Sequence, residues 1–307
     1  MRNQDSESSI ELGMNEYRKC RLCPWNCGVD RSAGELGKCG ALSQLRVNDY
    51  MPHFGEETCL VGDGGSGAVF FSFCTLRCKF CQTYDMSWRG EGTDIEIGRL
   101  AEIFLWIQRE GCQNLNLITP THFLPHILLA LKEARSSGFV LPVVYNSSAF
   151  EKVETLRALR GVVDVYLPDF KFWKAETAQA LCGAHDYPEV AKKAVKEMYR
   201  QVGDLVLNEK GRAVRGVLVR HLIVPGHLEE SREILNWLAT EVSVDTYINV
   251  MGHYRPCHQA KRNPTLDRTL TAKEYKNVWK WAQELGLHRL DMTHHKIYHL
   301  IWGSIDS

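Results

Sequence analysis

The sequence predicts an α/β fold of six strand–helix units preceded by a small cysteine-rich segment. Three observations predict it. From Ala68 onward short apolar runs alternate with helical patterns in a regular rhythm. Residues 14–50 are instead rich in cysteine and glycine and show little periodicity. The chain has 307 residues, 44% of them hydrophobic, enough for a substantial core. Strictly alternating units imply parallel strands joined by right-handed crossovers, hence either an open doubly wound sheet or a partial (β/α)6 TIM-like barrel. Both bind ligands at the C-terminal ends of their strands. The change in texture puts a boundary near residue 62, dividing an N-terminal segment (1–62) from the core (63–307).

In chain order, the strands are AVFFSF (68–73), NLNLIT (114–119), LPVVYN (141–146), VVDVYL (162–167), GVLVRHLIV (216–224) and DTYINVM (245–251). Each is a short run rich in β-branched or aromatic residues. The helical stretches between them are IGRLAEIFLWIQREG, HFLPHILLALKEARSSG, EKVETLRALRG, PEVAKKAVKEMYRQVG and EESREILNWLATEV, two of them closed by the cap glycines Gly138 and Gly161. A last helix, TAKEYKNVWKWAQELG, and a short strand, HRLDM, finish the fold. Residues 62–67, GDGGSG, match GxGxxG but precede a strand rather than follow one, so they read as a flexible turn and not a phosphate loop.

Charge excludes some partners. Lys+Arg and Asp+Glu number 37 each and the pI is about 7.2, so no global field draws the chain to nucleic acid or acidic lipid. No stretch approaches the roughly 18 apolar residues of a membrane span, and the polar N-terminus lacks a signal-like core, so a cytoplasmic location is expected.

Eleven cysteines point to metal or redox chemistry in a reducing compartment. Cys74, Cys78 and Cys81 follow the first core strand, at the mouth where such folds build their sites. Three soft thiolates on one loop suit an iron–sulfur cube, which takes four ligands. Either a distant residue completes the set, or one iron is left open for a reacting molecule. The bland alternative is zinc, with Cys59, Cys257 or a histidine as the fourth ligand. Cys20, Cys23, Cys27 and Cys39 supply four more thiolates within twenty positions, for zinc, mononuclear iron or a second iron–sulfur centre, with Cys59 as an alternative fourth ligand. Cys112 and Cys182 read as buried apolar thiols and Cys257 as a loop thiol. His294, His295 and His299 read as a solvated terminal segment.

CxxxCxxC after the first strand of a six-unit βα fold, with Phe80 before the last cysteine, resembles the radical S-adenosylmethionine superfamily. Within it the chain is similar to the pyruvate formate-lyase activating enzyme group, and to its branch with an N-terminal CxLCPxxC segment, from "CRLCPWNCGVDRSAGELGKCG" through "NLNLITPTHFLP", "VVYNSSAF", "VYLPDFKF" and "VRHLIVPG" to "INVMGHYRPC". The resemblance implies a partial barrel in which Cys74, Cys78 and Cys81 hold a [4Fe–4S] cluster. Its open iron would chelate the amino and carboxylate groups of S-adenosylmethionine, and one electron would release a 5′-deoxyadenosyl radical that abstracts hydrogen.

The same resemblance gives a pocket at the strand ends. Thr119, in Thr119-Pro120-Thr121-His122, stands where the family receives the methionine amino group; Thr121 could instead cap a helix. Asn146 and Ser147, with Ser148, stand where the family carries Asp-Thr-Asn-Gly, and they differ from it in lacking the acid. Asp169 and Lys171 resemble the family's Asp-Leu-Lys, whose lysine lies near the cofactor carboxylate. Arg220 takes the place of a family arginine, with His221 on the opposite strand face. His253 aligns loosely with a cofactor-contacting histidine, a surface histidine being the alternative. The expected activity is hydrogen abstraction from a protein or peptide, a glycyl radical enzyme being one candidate, with flavodoxin or ferredoxin as electron donor. Alternatives are a small-molecule or RNA-modifying enzyme on the same core, or a non-catalytic iron–sulfur or zinc protein. A core of about 240 residues is short for a closed eight-unit barrel of about 250 with its loops, so an open side admitting a polypeptide is expected.

Overall fold

The computed structural model describes residues 12–293, 295 and 298. After two 3-10 turns, Met14–Tyr17 and Arg31–Ala33, the chain forms β1 (Arg46–His53) and a one-turn helix α1 (Thr58–Val61). The repeating part follows: β2 (Ser66–Phe71), α2 (Tyr84–Ser87), β3 (Thr93–Asp94), α3 (Ile97–Arg109), β4 (Leu115–Ile118), α4 (Leu124–Ser136), β5 (Val143–Ser147), α5 (Val153–Arg157) and β6 (Val165–Pro168). The second half adds α6 (Ala175–Cys182), α7 (Tyr187–Val202), β7 (Val206–Leu207), β8 (Ala213–Leu222), α8 (Leu228–Glu241), β9 (Tyr247–Met251) and α9 (Ala272–Glu284).

The sheet runs β3-β1-β2-β4-β5-β6-β8-β7, with β9 also on β8. Strands β2, β4, β5, β6, β8 and β9 are mutually parallel and are the six expected ones. Among the described residues β9 does not pair back to β1 or β2, so this is a partial barrel. Strand alternation sorts the side chains. Leu115 and Leu117 pack outward with Phe104 and Ile127, and Tyr166 and Val219 pack outward against the second layer of helices. Val144, Val165, Leu167 and Leu218 point inward, where Cys59 and Leu60 of α1 fill the barrel floor. On α7 the buried Ala191, Ala194, Val195, Met198 and Val202 follow the spacing of one helical face.

Four expectations change. Residues 46–53, assigned to the N-terminal segment, pair antiparallel with β2, so the sheet crosses the boundary drawn at 62. HRLDM contributes only an isolated bridge, Ile248 to Leu290. EKVETLRALRG forms just five helical residues before turning through Gly161 (φ 76°). GDGGSG is no mere flexible turn: Ser66 and Gly67 open β2, and a Cβ on Gly67 would come 2.1 Å from Ile107 Cγ2.

Candidate active site

The loop leaving β2 wraps tightly, with left-handed backbone at Phe73 (φ 70°) and Arg77 (φ 50°). Side-chain-bearing residues in that region are strained and cluster at functional sites. Cys74, Cys78 and Cys81 thereby share one wall of a cavity of about 320 Å³. Phe80 lies beneath them, packed edge-on to Phe172 and tilted against Tyr254. The strand ends supply the remaining walls. Thr119 follows β4 in a left-handed conformation (φ 58°), Asn146 and Ser147 end β5, Asp169 and Lys171 follow β6, Arg220 lies on β8 and His253 follows β9; all line the cavity. Every pocket residue expected from the sequence is thus brought to one place.

Electrostatics inside are organised around two cations. Lys171 Nζ is paired with Asp169 Oδ2. Burial works against its charge, but Asp169, then Cys78 and Cys81, override it and keep the ammonium protonated. Asp169 Oδ1 is buried without a hydrogen-bond partner among the described residues, an acceptor aimed at a ligand. Deeper in the barrel, Arg220 donates to Glu57 from Nε (2.8 Å) and Nη2 (2.7 Å), and also pairs with Glu56. Asn249 Nδ2 donates to the same Glu57 at 2.7 Å. His221, on the opposite face as expected, bridges Phe170 O (2.7 Å) and Ser231 Oγ (2.8 Å) outside the barrel.

Sequence reading missed several contributors. Ser87 of α2 donates to Cys81 Sγ at 3.1 Å, the Leu76 amide to Cys74 Sγ at 3.4 Å, and Met86, Leu222 and Met251 give the cavity apolar surface. A four-residue helix has no readable period, and nothing local connects Glu56 and Glu57 to an arginine 164 and 163 positions away. Thr121 neither caps a helix nor faces the cavity. Its hydroxyl donates to Glu151 Oε1 at 2.6 Å, and Tyr145 donates to Oε2 of the same carboxyl at 3.3 Å.

Glu151 is fully enclosed, and burial pushes its carboxyl up to about 7 from an ordinary 4.5, against the hydrogen bonds of Thr121, Tyr145 and Ser147. The raised folded value means stability fully present below about pH 4.5 and lost as pH rises through about 7. Glu151→Gln is therefore expected to flatten the fall in Tm between about pH 5 and about pH 8 and to recover roughly 3 kcal/mol at the upper end. Thermal melts across pH check this; parallel curves for the two proteins would refute it.

The other cysteines divide by location. Cys59 lies in the barrel floor among Leu60, Val165 and Leu218, which removes it as a fourth ligand for either cysteine set. Cys112 is buried among apolar residues as expected. Cys182 is buried behind Cys78, outside the cavity, with its thiol donated to Ala178 O (3.0 Å). Cys257 does not line the cavity. His294 and His299 lie outside the described residues, and His295 is not solvated: it is 3% exposed and stacks on Trp279 at 4.0 Å.

The donor set fits the expected groups. Cysteines of a [4Fe–4S] cube each take a different iron, so they need not converge on one point; among the described residues no three His, Cys, Asp or Glu side chains do. Burial pushes the Cys74 thiol up to about 11, so the thiolate form needs the positive charge that a cluster supplies. The unpartnered Asp169 oxygen and the Lys171 ammonium, side by side, suit a zwitterionic amino-acid moiety.

Comparison with known proteins agrees. The Radical SAM superfamily model matches residues 68–238. An uncharacterized protein of Methanocaldococcus jannaschii is 30% identical over 288 residues, covering 91% of this chain and 78% of that one. Among solved structures, Streptococcus suis SuiB bound to S-adenosylmethionine has a TM-score of 0.50 at 13% identity, over 71% of this chain and 47% of that one. The SuiB complex with its precursor peptide SuiA gives 0.47 at 10% identity, over 73% and 45%. The chain thus spans about half the length of these solved structures, and the likeness to the S-adenosylmethionine-bound one is of fold. With the family model covering β2 through most of α8, and the three-cysteine loop at its head, the chain belongs to the radical S-adenosylmethionine superfamily, whose members use a [4Fe–4S] cluster and S-adenosylmethionine.

Proposed function

We propose that this is a cytoplasmic enzyme that reductively cleaves S-adenosylmethionine at a cluster held by Cys74, Cys78 and Cys81 and abstracts hydrogen from a protein or peptide, in the manner of glycyl-radical-enzyme activases. The observation that carries the reading is that the three cysteines and the polar strand-end residues Thr119, Asn146, Ser147, Asp169, Lys171 and Arg220 line one cavity. When bound, cluster and cofactor supply the one-electron cleavage and the adenosyl radical. The chain supplies the rest. Lys171 meets the cofactor carboxylate, Asp169 Oδ1 accepts from its ammonium or a ribose hydroxyl, and Asn146 and Ser147 add uncharged hydrogen bonds. Met86, Leu222 and Met251 keep water from the reacting centre. Ser87 and the Leu76 amide donate to the Cys81 and Cys74 sulfurs, and with a cluster held there these bonds would favour its more reduced state.

A macromolecular substrate is supported by the unclosed barrel. Among the described residues the loop after β2 and the segment after β9 are joined not by strand pairing but by side-chain and loop contacts: Gln82 Nε2 to His253 O (3.3 Å), the Gln259 amide to Lys79 O (2.9 Å) and the His258 ring against Tyr84 and Trp88. The reading is tested by anaerobic reconstitution with dithionite and S-adenosylmethionine in the presence of fractionated extract. 5′-Deoxyadenosine release stimulated by a protease-sensitive fraction, with an organic radical signal on that polypeptide, is the expected result. Stimulation that survives proteolysis would overturn the polypeptide substrate in favour of a small molecule.

The electron donor is proposed to be an acidic flavodoxin or ferredoxin meeting the back of the cysteine loop. There Lys38, Arg77 and Lys79, with Trp25 and Trp88, line a second cavity of about 220 Å³. Reversing Lys38 and Lys79 to glutamate is expected to slow donor-driven turnover about tenfold, chiefly through the donor's KM, and to leave dithionite-driven turnover unchanged. Steady-state kinetics with both reductants check this; equal loss with dithionite would refute the docking face.

A further inference from the structure

We propose that Cys20, Cys23, Cys27 and Cys39 hold a second metal centre, a tetrathiolate dianion whose charge is offset by the buried guanidinium of Arg31. The argument is independent of the reading of the radical site and rests on which groups face the four sulfurs. Two of them have an N–H directed at them: the Lys38 amide lies 3.4 Å from Cys27 Sγ, and Arg31 Nη1 lies 3.8 Å from Cys20 Sγ. Cys23 and Cys39 are buried beside them. N–H donors aimed at sulfur favour thiolate over thiol, and four buried or half-buried thiolates side by side persist only on a cation.

Arg31 is the second, separate observation. It is 1% exposed, yet among the described residues no carboxylate pairs with it. Its acceptors are Ala41 O (3.0 Å), Leu42 O (2.6 Å), His122 O (2.7 Å) and the Cys20 sulfur, and its guanidinium lies over the Tyr17 ring at 4.4 Å. A buried cation without an anion is costly. The four-thiolate centre is the anion this arrangement lacks. Metal binding balances simply: a divalent ion, or an iron–sulfur core of the same net charge, displaces four thiol protons to solvent and leaves a dianion beside Arg31. The sulfurs do not close on one point; the separate corners of an iron–sulfur cube would accept that spacing, whereas a single ion would have to draw them in. That segment is tied to the core at Trp25 Nε1 to Thr75 O (2.6 Å) and Thr155 Oγ1 to Leu22 O (2.9 Å), so the centre would brace the radical loop from behind.

The test uses the full chain purified anaerobically with Cys74, Cys78 and Cys81 all changed to alanine, so that the first site is empty. Zinc, iron and acid-labile sulfide are then measured per chain. About one zinc, or iron with matching sulfide, is expected to remain and to vanish when Cys23→Ala and Cys39→Ala are added; the sulfide assay distinguishes a single ion from a cluster, and both bear out the centre. In the same background, Arg31→Met is expected to weaken metal retention between about ten- and a hundredfold in chelator competition, with Arg31→Lys intermediate. Folding of each variant is checked by circular dichroism, and Arg31→Lys serves if Arg31→Met does not fold. A folded, metal-free triple variant, or metal indifferent to Cys23 and Cys39, would overturn the centre. Undiminished retention in the Arg31 variants would overturn the charge-balancing role.

Discussion

Cys78→Ala is expected to abolish 5′-deoxyadenosine formation, with a loss on the order of a thousandfold or more, because two sulfurs on one loop cannot retain a cube that needs three. Cys78 is the most deeply set of the three, at 7% exposure with Lys171, Cys74 and Cys81 around it. Removing its sulfur leaves a cavity smaller than a methylene pair, a cost of about 1–2 kcal/mol and a Tm shift of a few degrees. The fold should survive. Visible absorbance and iron content should fall with product, while far-ultraviolet dichroism stays unchanged. The proposed N-terminal centre contributes background iron or zinc, so product formation is the deciding measurement. A Cys78→Ala protein that still cleaves S-adenosylmethionine would remove the loop from the reaction.

Arg220→Met is expected to be the most destabilising single change near the site. It strands Glu57, fully buried, and Glu56, 5% exposed, without a cation in the barrel. Breaking a buried pair from one side costs about 3–5 kcal/mol, here a fall in Tm on the order of 10 °C. The pH dependence distinguishes this from simple loss of packing. In the native protein burial pushes the Glu56 carboxyl up, but Arg220 and then His53 overcome it and hold it at about 2, below the ordinary 4.5. That stabilisation is present above about pH 4.5 and lost as pH falls through about 2. Without Arg220 only burial and the weaker His53 contact act on Glu56, its carboxyl rises, and the sign reverses: the variant loses stability as pH increases. The gap between the two proteins should therefore widen from acid to neutral pH in denaturant titrations, and a constant gap would sink the explanation. Arg220→Lys should recover part of the difference, since an ammonium restores charge without the bidentate fork on Glu57.

Much of the site was legible because its parts are local. Cys74, Cys78 and Cys81 fall within eight residues; spacing and softness point to an iron–sulfur cluster with zinc as the alternative, and the resemblance to the radical S-adenosylmethionine superfamily decides between them. The pocket residues were readable because strand ends in a parallel fold face one mouth, so identifying the strands suffices to collect Thr119, Asn146, Asp169 and Arg220 there. β1 was not readable: RVNDYMPH is half polar, contains a proline, and its burial does not alternate cleanly, since β3 pairs only with Arg46 and Val47 and the rest of the strand has β2 as its one neighbour. His295 misled for the opposite reason, being a polar residue whose ring is buried by stacking on Trp279.

By itself, then, the sequence determined the six-unit parallel core, the three-thiolate loop at its mouth and the polar groups ringing it. These depend on hydrophobic period and on ligands close in the chain. Only the tertiary structure decided what stands opposite the charges: Glu56 and Glu57 against Arg220, Glu151 under Thr121 and Tyr145, the N–H groups facing the N-terminal sulfurs, and Arg31 among them without a carboxylate. Such pairings join distant positions, or follow from how a turn is set. Their energies depend on burial, a property of the packed molecule and not of any stretch of chain.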